Sequence, residues 1–299
     1  MKIRNLQLML VALTAATLAW TPFTAAAGGD GVDVILEWNA IALEANVIDH
    51  SGPDLPGDLL SDTQGPPASA RVLAMVHAAM FDAYNSIDGS YTPYLTDAPA
   101  APGASVDAAV ARAAHETLLA LIPAGAVVYA DALQTTLDRV TDATSRADGE
   151  DVGFIVADAL LAARAGDAAF LGGTYTPGGD PGDHDVDPQN PAQSFISPDI
   201  AGMPPFGVSD VLAYRAPEPP SLRSRAYTRA FREVRRLGDF RGGDSGATVP
   251  RNDETYVIAN YWSYNGSPGT GTPPRLYNQI ARLIAIQEGN TEVENARLF

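Results

Sequence analysis

Hydrophobic side chains recur at intervals of three or four residues along most of the chain, the spacing that places them on one face of an α-helix. No segment shows the sustained two-residue alternation of a half-buried strand, and no repeat of fixed length is present. The pattern therefore predicts an all-α helical bundle. The predicted helices cover about 32–49, 66–87, 104–122, 124–143, 149–169, 221–237, 253–264, 273–289 and 291–299.

Start and stop signals bound the last two predicted helices. A pair of prolines at 273–274 opens the first of them, and Gly289 ends it. Thr291 and Glu294 have the spacing of a capping box, which opens the final helix. This helix reaches Phe299 without a glycine or proline to end it, so we expect the chain to stop inside a longer fold.

The helical pattern breaks down between about 171 and 220, where prolines and glycines are frequent. A loop of this length without regular structure is uncommon inside a compact domain unless it is functional or packed on the surface. We therefore expect an ordered surface excursion that wraps the bundle. The helix at 66–87 is rich in alanine, methionine and valine on almost every side, so we expect it at the centre.

The first 27 residues have the composition of a secretory signal. Lys2 and Arg4 form the basic start, 6–20 is the apolar run, and three alanines ending at Ala27 supply the cleavage site. The run is short for a membrane span, although a retained anchor is the alternative. We expect residues 28–299 to form one helical domain that is secreted or periplasmic.

The charge of the remaining chain limits its partners. It carries 17 basic and 36 acidic residues, a net charge of −19, which argues against nucleic acid and anionic membrane surfaces. Cysteine is absent, so an exported domain of this sequence must rely on its core rather than on disulfides. Lys2 is the only lysine in the sequence, and it lies in the signal.

Three segments carry a specific resemblance to a known family. The first is EWNAIA at 37–42, and the second is GPPASARVLAMVHAAMFDAYNSI at 65–87. The third, at 253–299, has an aromatic helix that ends in Tyr-Trp, a Pro-Pro helix start and the sequence ENARLF at 294–299. In these segments the chain resembles bacterial vanadium-dependent haloperoxidases, which share a helical fold with the type-2 phosphatidic acid phosphatases.

The resemblance implies a cofactor and a reaction for the complete family member. There, lysine, arginine and serine donors hold vanadate, one histidine nitrogen bonds the metal, and a second histidine helps to protonate bound peroxide. The family motifs are Lys-(x6)-Arg-Pro, Pro-Ser-Gly-His and Arg-(x4)-His, and none occurs in this sequence. We therefore expect truncation before the vanadate-binding half. We expect no catalytic, cofactor-binding or metal-binding residues in this chain, and no vanadate bound to it alone.

The four histidines do not have the spacing of a helical zinc site, because none has a second histidine three or four positions away. We interpret His77 as a core histidine and His115 as a structural or surface residue. His50 is interpreted as a favourable charge at a helix end. His184 lies among the carboxylates of 180–187, where calcium binding is an alternative to a solvated acidic loop.

The helix at 221–237 is predicted to be amphipathic. Its cationic face holds Arg225, Arg229, Arg232 and Arg236. Its opposite face is predicted to be buried and holds Tyr227, Phe231 and Val234. The arginines are interpreted as a solvated face, with an anion-binding or partner surface as the alternative. Tyr261 and Trp262 are interpreted as core residues, with a substrate entrance as the alternative.

We therefore expect this chain to be the N-terminal part of a vanadium-dependent haloperoxidase-like protein, inactive on its own. Halide and hydrogen peroxide would be the partners of the complete family member. The alternative is a non-enzymatic exported helical domain that binds a separately encoded catalytic half or a second copy of itself. Its interface would be Leu298, Phe299 and the helix at 66–87. A further alternative is part of an acid phosphatase of the same superfamily.

Overall fold

The computed structural model describes residues 32–50, 65–237, 253–263 and 269–299. Across these ranges the chain consists of α-helices, 3-10 turns and loops, without a strand. The predicted all-α fold class is confirmed. The predicted signal at 1–27 lies outside the described residues.

The α-helices follow the order predicted from the apolar spacing. They are α1 (Val34–His50), α2 (Gly65–Asp88), α3 (Val106–Leu121), α4 (Ala126–Arg139), α5 (Ala143–Ala163), α6 (Arg225–Leu237), α7 (Asp253–Trp262), α8 (Pro273–Glu288) and α9 (Glu292–Leu298). Within the described ranges, no helix combines the length and the apolar character needed to cross a lipid bilayer.

Helix α5 begins and ends earlier than the predicted range of about 149–169. The carboxylate of Asp142 accepts a hydrogen bond from the Ser145 amide (2.7 Å) and so caps the first turn at Ala143. The helix ends at Ala163, and residues 165–170 form a 3-10 turn instead. A capping aspartate outside the apolar pattern therefore decides where this helix starts.

Helices α2 and α3 form the centre of the bundle, as expected for the apolar segment at 66–87. Helix α3 packs against α1, α2, α4 and α5, and α2 also contacts α8 and α9. Buried apolar side chains form one cluster on α1–α4 and a second between α2, α3 and α5. Small residues bring α3 and α5 close together: a Cβ added at Gly153 would lie 2.3 Å from the Ala109 carbonyl oxygen.

The segment after α5 runs over the surface, as predicted for about 171–220. Its anchors are on the end of α5 and the following turn. Ser197 donates a hydrogen bond to the Leu171 carbonyl (2.9 Å), and Arg164 donates one to the Pro204 carbonyl (2.7 Å). The Arg164 guanidinium also lies 3.8 Å from the centroid of the Phe206 ring. Regular structure in this segment is limited to 3-10 turns at 198–202 and 211–214.

The predicted boundaries of α8 and α9 are confirmed. Helix α8 starts at Pro273 and is ended by Gly289, the residue after Glu288, which has a left-handed backbone (φ 68°) that other residues rarely adopt. At the start of α9, the Thr291 amide donates a hydrogen bond to the Glu294 carboxylate (2.8 Å), and the reciprocal bond completes the capping box.

The predicted burial of α6 and α7 is wrong. The apolar face of α6 is exposed, with Val234 69% exposed, and so are Tyr261 (46%) and Trp262 (55%). Neither helix has more than sparse contact with any other helix in the described ranges. Apolar spacing identifies the face of a helix that favours a partner, but it does not locate that partner.

The surface predicted as an interface, formed by 66–87, Leu298 and Phe299, is exposed only in part. Helix α2 has no exposed large apolar side chain, because its neighbours in the bundle cover it. Phe299 packs against the core, whereas Leu298 is exposed. Exposed apolar surface is found instead on α6, α7 and α8.

Replacing Gly153 by alanine tests the close contact between α3 and α5. The added methyl group would overlap the Ala109 carbonyl oxygen, and overpacking a core costs about 1–3 kcal/mol. We expect the free energy of unfolding, measured by urea denaturation, to fall by about 2 kcal/mol. Gly166→Ala is the control, because nothing lies within 4 Å of its added Cβ. Equal stability of the two variants would contradict this packing.

Candidate functional site

A buried polar network joins α1, α2 and α8 at His77. Its Nδ1 donates to the Leu73 carbonyl (2.7 Å), and its Nε2 accepts from the Asn39 side-chain amide (2.9 Å). The same amide group donates to the Asn278 side-chain oxygen (2.7 Å). Both ring nitrogens are therefore engaged, and the arrangement fits a neutral imidazole protonated at Nδ1.

The surroundings of His77 keep its ring uncharged. Burial lowers the pKa of His77 to about 4, and the hydrogen bond to the Leu73 carbonyl offsets only part of that effect. The ring has no free nitrogen with which to bond a metal, and it carries no charge at neutral pH. The interpretation of His77 as a core histidine is confirmed.

An open cavity of about 570 Å³ lies beside His77, between α2, α9 and the surface excursion. Its walls are mainly aromatic and include Phe81, Tyr91, Tyr94, Phe206 and Phe299. The Phe299 ring stacks on the imidazole with 5.6 Å between centroids. Arg297 is the one arginine in the lining, and its guanidinium lies 5.9 Å from the centroid of Tyr91. This chemistry suits a flat apolar or aromatic group rather than a compact oxyanion.

Asp82 of α2 positions the loop that forms one wall of this cavity. Its buried carboxylate accepts hydrogen bonds from the backbone amides of Tyr94 (2.6 Å), Leu95 (2.8 Å) and Thr96 (2.8 Å). No role was predicted for Asp82 from the sequence. The available signal was a carboxylate within an apolar helix, because a buried carboxylate must find donors.

The arginines of α6 line a second open cavity, of about 400 Å³. Its lining consists of Arg223, Ser224, Arg225, Thr228, Arg229 and Arg232. The structure thus brings together three of the four predicted arginines and leaves Arg236 outside. The charge of the cavity suits an anionic group. The cavity is built on an exposed helix, and its lining contains no histidine.

The carboxylates at 180–187 serve local turns. The Asp183 carboxylate accepts from the Asp180 amide (3.1 Å), and that of Asp187 accepts from the Gln189 amide (2.9 Å). The His184 ring packs between Tyr175 and Phe195, with centroid separations of 5.6 and 5.1 Å. Within the described ranges, no group of three or more histidine, aspartate or glutamate side chains could hold a metal ion. The calcium alternative therefore lacks a converging ligand set.

The other two histidines also have local partners. His50 Nδ1 lies 3.1 Å from the Asn46 carbonyl oxygen and 3.3 Å from the Asp49 carboxylate, at the end of α1. His115 Nδ1 lies 3.3 Å from the neighbouring Glu116 carboxylate. His50 thus lies at a helix end as predicted, and the position of His115 agrees with the structural or surface role predicted for it.

Long-range hydrogen bonds connect the segment at 269–299 to α1. The Asn46 side-chain oxygen accepts from the Thr272 amide (2.8 Å), and Arg275 donates to the Leu43 carbonyl (3.0 Å). Arg282 donates to the Leu36 carbonyl, deep in the interface. None of these polar residues was predicted from the sequence to connect distant helices. Together with the bond from Asn39 to Asn278, they hold the resembling segment at 253–299 against the one at 37–42.

Comparison with known proteins identifies the family. Residues 31–199 match the model of the vanadium chloroperoxidase N-terminal domain. The chain belongs to this family. Vanadium chloroperoxidase from Curvularia inaequalis is 33% identical over 322 aligned residues, which cover 89% of this chain and 51% of the relative. The chain therefore spans about half the length of that relative, and the resemblance to vanadium haloperoxidases is confirmed.

The described residues do not fit vanadate. The aromatic cavity has one arginine and an imidazole whose nitrogens are both engaged, and the cavity on α6 has arginines without a histidine. The buried cations already have partners. Arg71 and Arg164 pair with Asp167 (3.0 and 2.7 Å), and Arg282 is bonded to a carbonyl of α1. Neither cavity thus offers a free imidazole nitrogen together with several converging cations.

Asn39→Ala tests whether the polar network keeps His77 neutral. In the parent protein, ¹⁵N NMR should show a neutral ring with its proton on Nδ1 from pH 8 to pH 5, because its pKa is about 4. In the variant, Nε2 loses its donor and water can enter, so the pKa should rise towards about 6.5. Asn260→Ala, on the exposed helix α7, should leave the ring unchanged.

The lowered pKa of His77 also predicts how the free energy of unfolding depends on pH. The pKa of His77 is lower in the folded state than in the unfolded state, so the unfolded state binds the proton more readily. The contribution of neutral His77 to the free energy of unfolding is therefore fully present above about pH 6.5 and is lost as the pH falls towards 4. A parent ring that titrates near its ordinary pKa would contradict this interpretation.

Proposed function

We propose that this chain is the N-terminal helical part of a vanadium-dependent haloperoxidase-like protein, whose complete form oxidises halide with hydrogen peroxide. Family membership supports the proposal, and the relative named above is a chloroperoxidase about twice as long. The chain supplies half of the helical framework. We also propose that it is exported after loss of residues 1–27, which N-terminal sequencing of the protein from the medium or periplasm would test.

The aromatic cavity beside His77 is proposed as one wall of the access channel. The middle of α2 and the end of α9 hold its walls, and the bonds of Asp82 fix the loop that follows α2. Its aromatic surface and single arginine suit the passage of an organic group or a small anion better than tight binding of vanadate.

The chain alone is proposed to bind no vanadate and to catalyse no turnover. The observation that supports this proposal is the lack of suitable donors to vanadate. The sequence after Lys2 contains no lysine, and the described histidine at the cavity uses both nitrogens within the fold. Holding a compact anion requires several converging donors.

Bromination of a phenol dye in orthovanadate, hydrogen peroxide and bromide tests this proposal. We expect the purified chain to give the rate of buffer alone, with the fungal chloroperoxidase as positive control. Hydrolysis of a phosphate ester, measured in parallel, tests the phosphatase alternative. Vanadate-dependent turnover by this chain would overturn the proposal.

A second candidate is a non-enzymatic domain that binds a separately encoded catalytic half. The exposed apolar side chains of α7 and α8 favour it. Val257 is 65% exposed and Tyr277 59%, and the rings of Trp262 and Tyr277 lie 5.9 Å apart across the two helices. The nucleotide sequence after the codon for Phe299 separates the candidates, because only the first requires the vanadate motifs to follow in the same gene.

Trp262→Ala and Trp38→Ala form a matched pair that tests this surface. Trp38 is buried and donates from Nε1 to the Thr136 hydroxyl (3.3 Å), so its loss should destabilise the chain by about 3–5 kcal/mol. Trp262 is 55% exposed, and its loss should change the free energy of unfolding by less than about 0.5 kcal/mol. A large loss of stability in Trp262→Ala would mean that this chain covers α7 by itself.

A further inference from the structure

Two carboxylates from opposite sides of an interface meet at the start of α1. The Glu292 carboxylate of α9 accepts a hydrogen bond from the Val34 amide (3.3 Å). Asp33 accepts one from the Leu36 amide (2.8 Å) through Oδ1, and one from the Asn295 side chain of α9 (2.7 Å) through Oδ2. The interface between α1 and α9 therefore brings like charges together in a half-buried place.

The other charged groups at this junction are mainly acidic. Asp107 of α3 faces Glu292, and Asp88 and Tyr84 of α2 lie in the same electrostatic neighbourhood. Two arginines lie nearby. Arg139 of α4 binds Glu37 and attracts Asp107, and Arg282 of α8 donates to a carbonyl of α1 and attracts Asp33. In the described part of the chain, no arginine or histidine forms an ion pair with Glu292.

We propose that the α1–α9 junction is a pH-sensitive latch, in which α9 docks more tightly on α1 when Glu292 is protonated. The protonated carboxyl group still accepts from the Val34 amide through its carbonyl oxygen, but it no longer repels Asp33. Helix α9 leads into Phe299, which stacks on His77 and lines the aromatic cavity. The latch therefore couples the pH of the medium to the wall of that cavity.

The direction of the effect follows from linkage. Burial and the neighbouring Asp33 raise the pKa of Glu292 to about 7, and the Val34 hydrogen bond offsets only part of this. Because the docked state binds the proton more tightly than the released state, docking is strongest below the ordinary glutamate pKa. It weakens as the pH rises through about 7.

His77 and Glu294 also titrate at or beside α9, and neither reproduces this behaviour. Burial lowers the pKa of His77, which meets Phe299, so any contribution of its neutral ring to docking is lost on acidification, opposite in sign to that of Glu292. Glu294 accepts hydrogen bonds from Thr291 within the capping box, which lower its pKa. The stabilisation of α9 by Glu294 is present at high pH and is lost on acidification, which is opposite in sign to the effect of Glu292.

Hydrogen exchange of the α9 amides, corrected for the intrinsic pH dependence, measures the opening of the latch. Between pH 8 and pH 6 the opening equilibrium should decrease about tenfold, because the pKa of Glu292 is about 7. In Glu292→Gln, which mimics the protonated group, opening should be independent of pH over this range. At pH 8 the variant should also be more protected than the parent.

Glu294→Gln is the matched control on the same helix. Loss of the capping box should increase opening at every pH but preserve the dependence between pH 8 and pH 6. Amides of α3 report on global changes and should show no such dependence. A flat profile in the parent, or an unchanged slope in Glu292→Gln, would overturn the latch. The parent profile alone decides the question if Glu292→Gln does not fold.

Discussion

The structure depends on polar side chains of the last two helices that must find partners on the first. Thr272, Arg275 and Asn295 bond to residues of the α1 segment that lie 226 to 262 positions away in sequence. Each buried donor left without an acceptor would cost about 1–3 kcal/mol, so these bonds specify where α8 and α9 lie. Apolar contact alone would allow a helix to slide or rotate, whereas a set of directional bonds allows one register.

These bonds also determine which surfaces face inward and which face outward. With α8 held on α1 by Arg275 and Arg282, several of its apolar side chains are left exposed, and one of them, Tyr277, lies beside Trp262 of the exposed helix α7. At the other end, α9 brings Phe299 onto His77 and so completes one wall of the aromatic cavity. The same connections therefore create both the cavity and the exposed apolar surface on which the two proposed functions rest.

The sequence predicted the helices well because each has local signals. Apolar spacing located α1, α2 and α3, and Gly289 and Thr291 marked boundaries that the structure confirms. Prediction from the sequence failed where the interaction that decides the structure joins residues distant in sequence. The apolar face of α6 was predicted to be buried, but burial depends on a neighbour that spacing cannot specify. The pairing of Asn39 with His77 was missed because an asparagine in a helix gives no indication of its distant acceptor or donor.

The polar interior also explains why the buried groups of the described residues are poorly suited to hold vanadate. His77 gives one nitrogen to Asn39 and the other to Leu73, and the Asp167 carboxylate pairs with two buried arginines. Any of these groups that turned towards an oxyanion would leave a buried partner unpaired, at a cost similar to the gain. Groups that specify the fold are therefore poor candidates for holding the cofactor. A vanadate site needs donors that the framework does not already use, and this requirement is the physical reason for proposing a structural part for the chain.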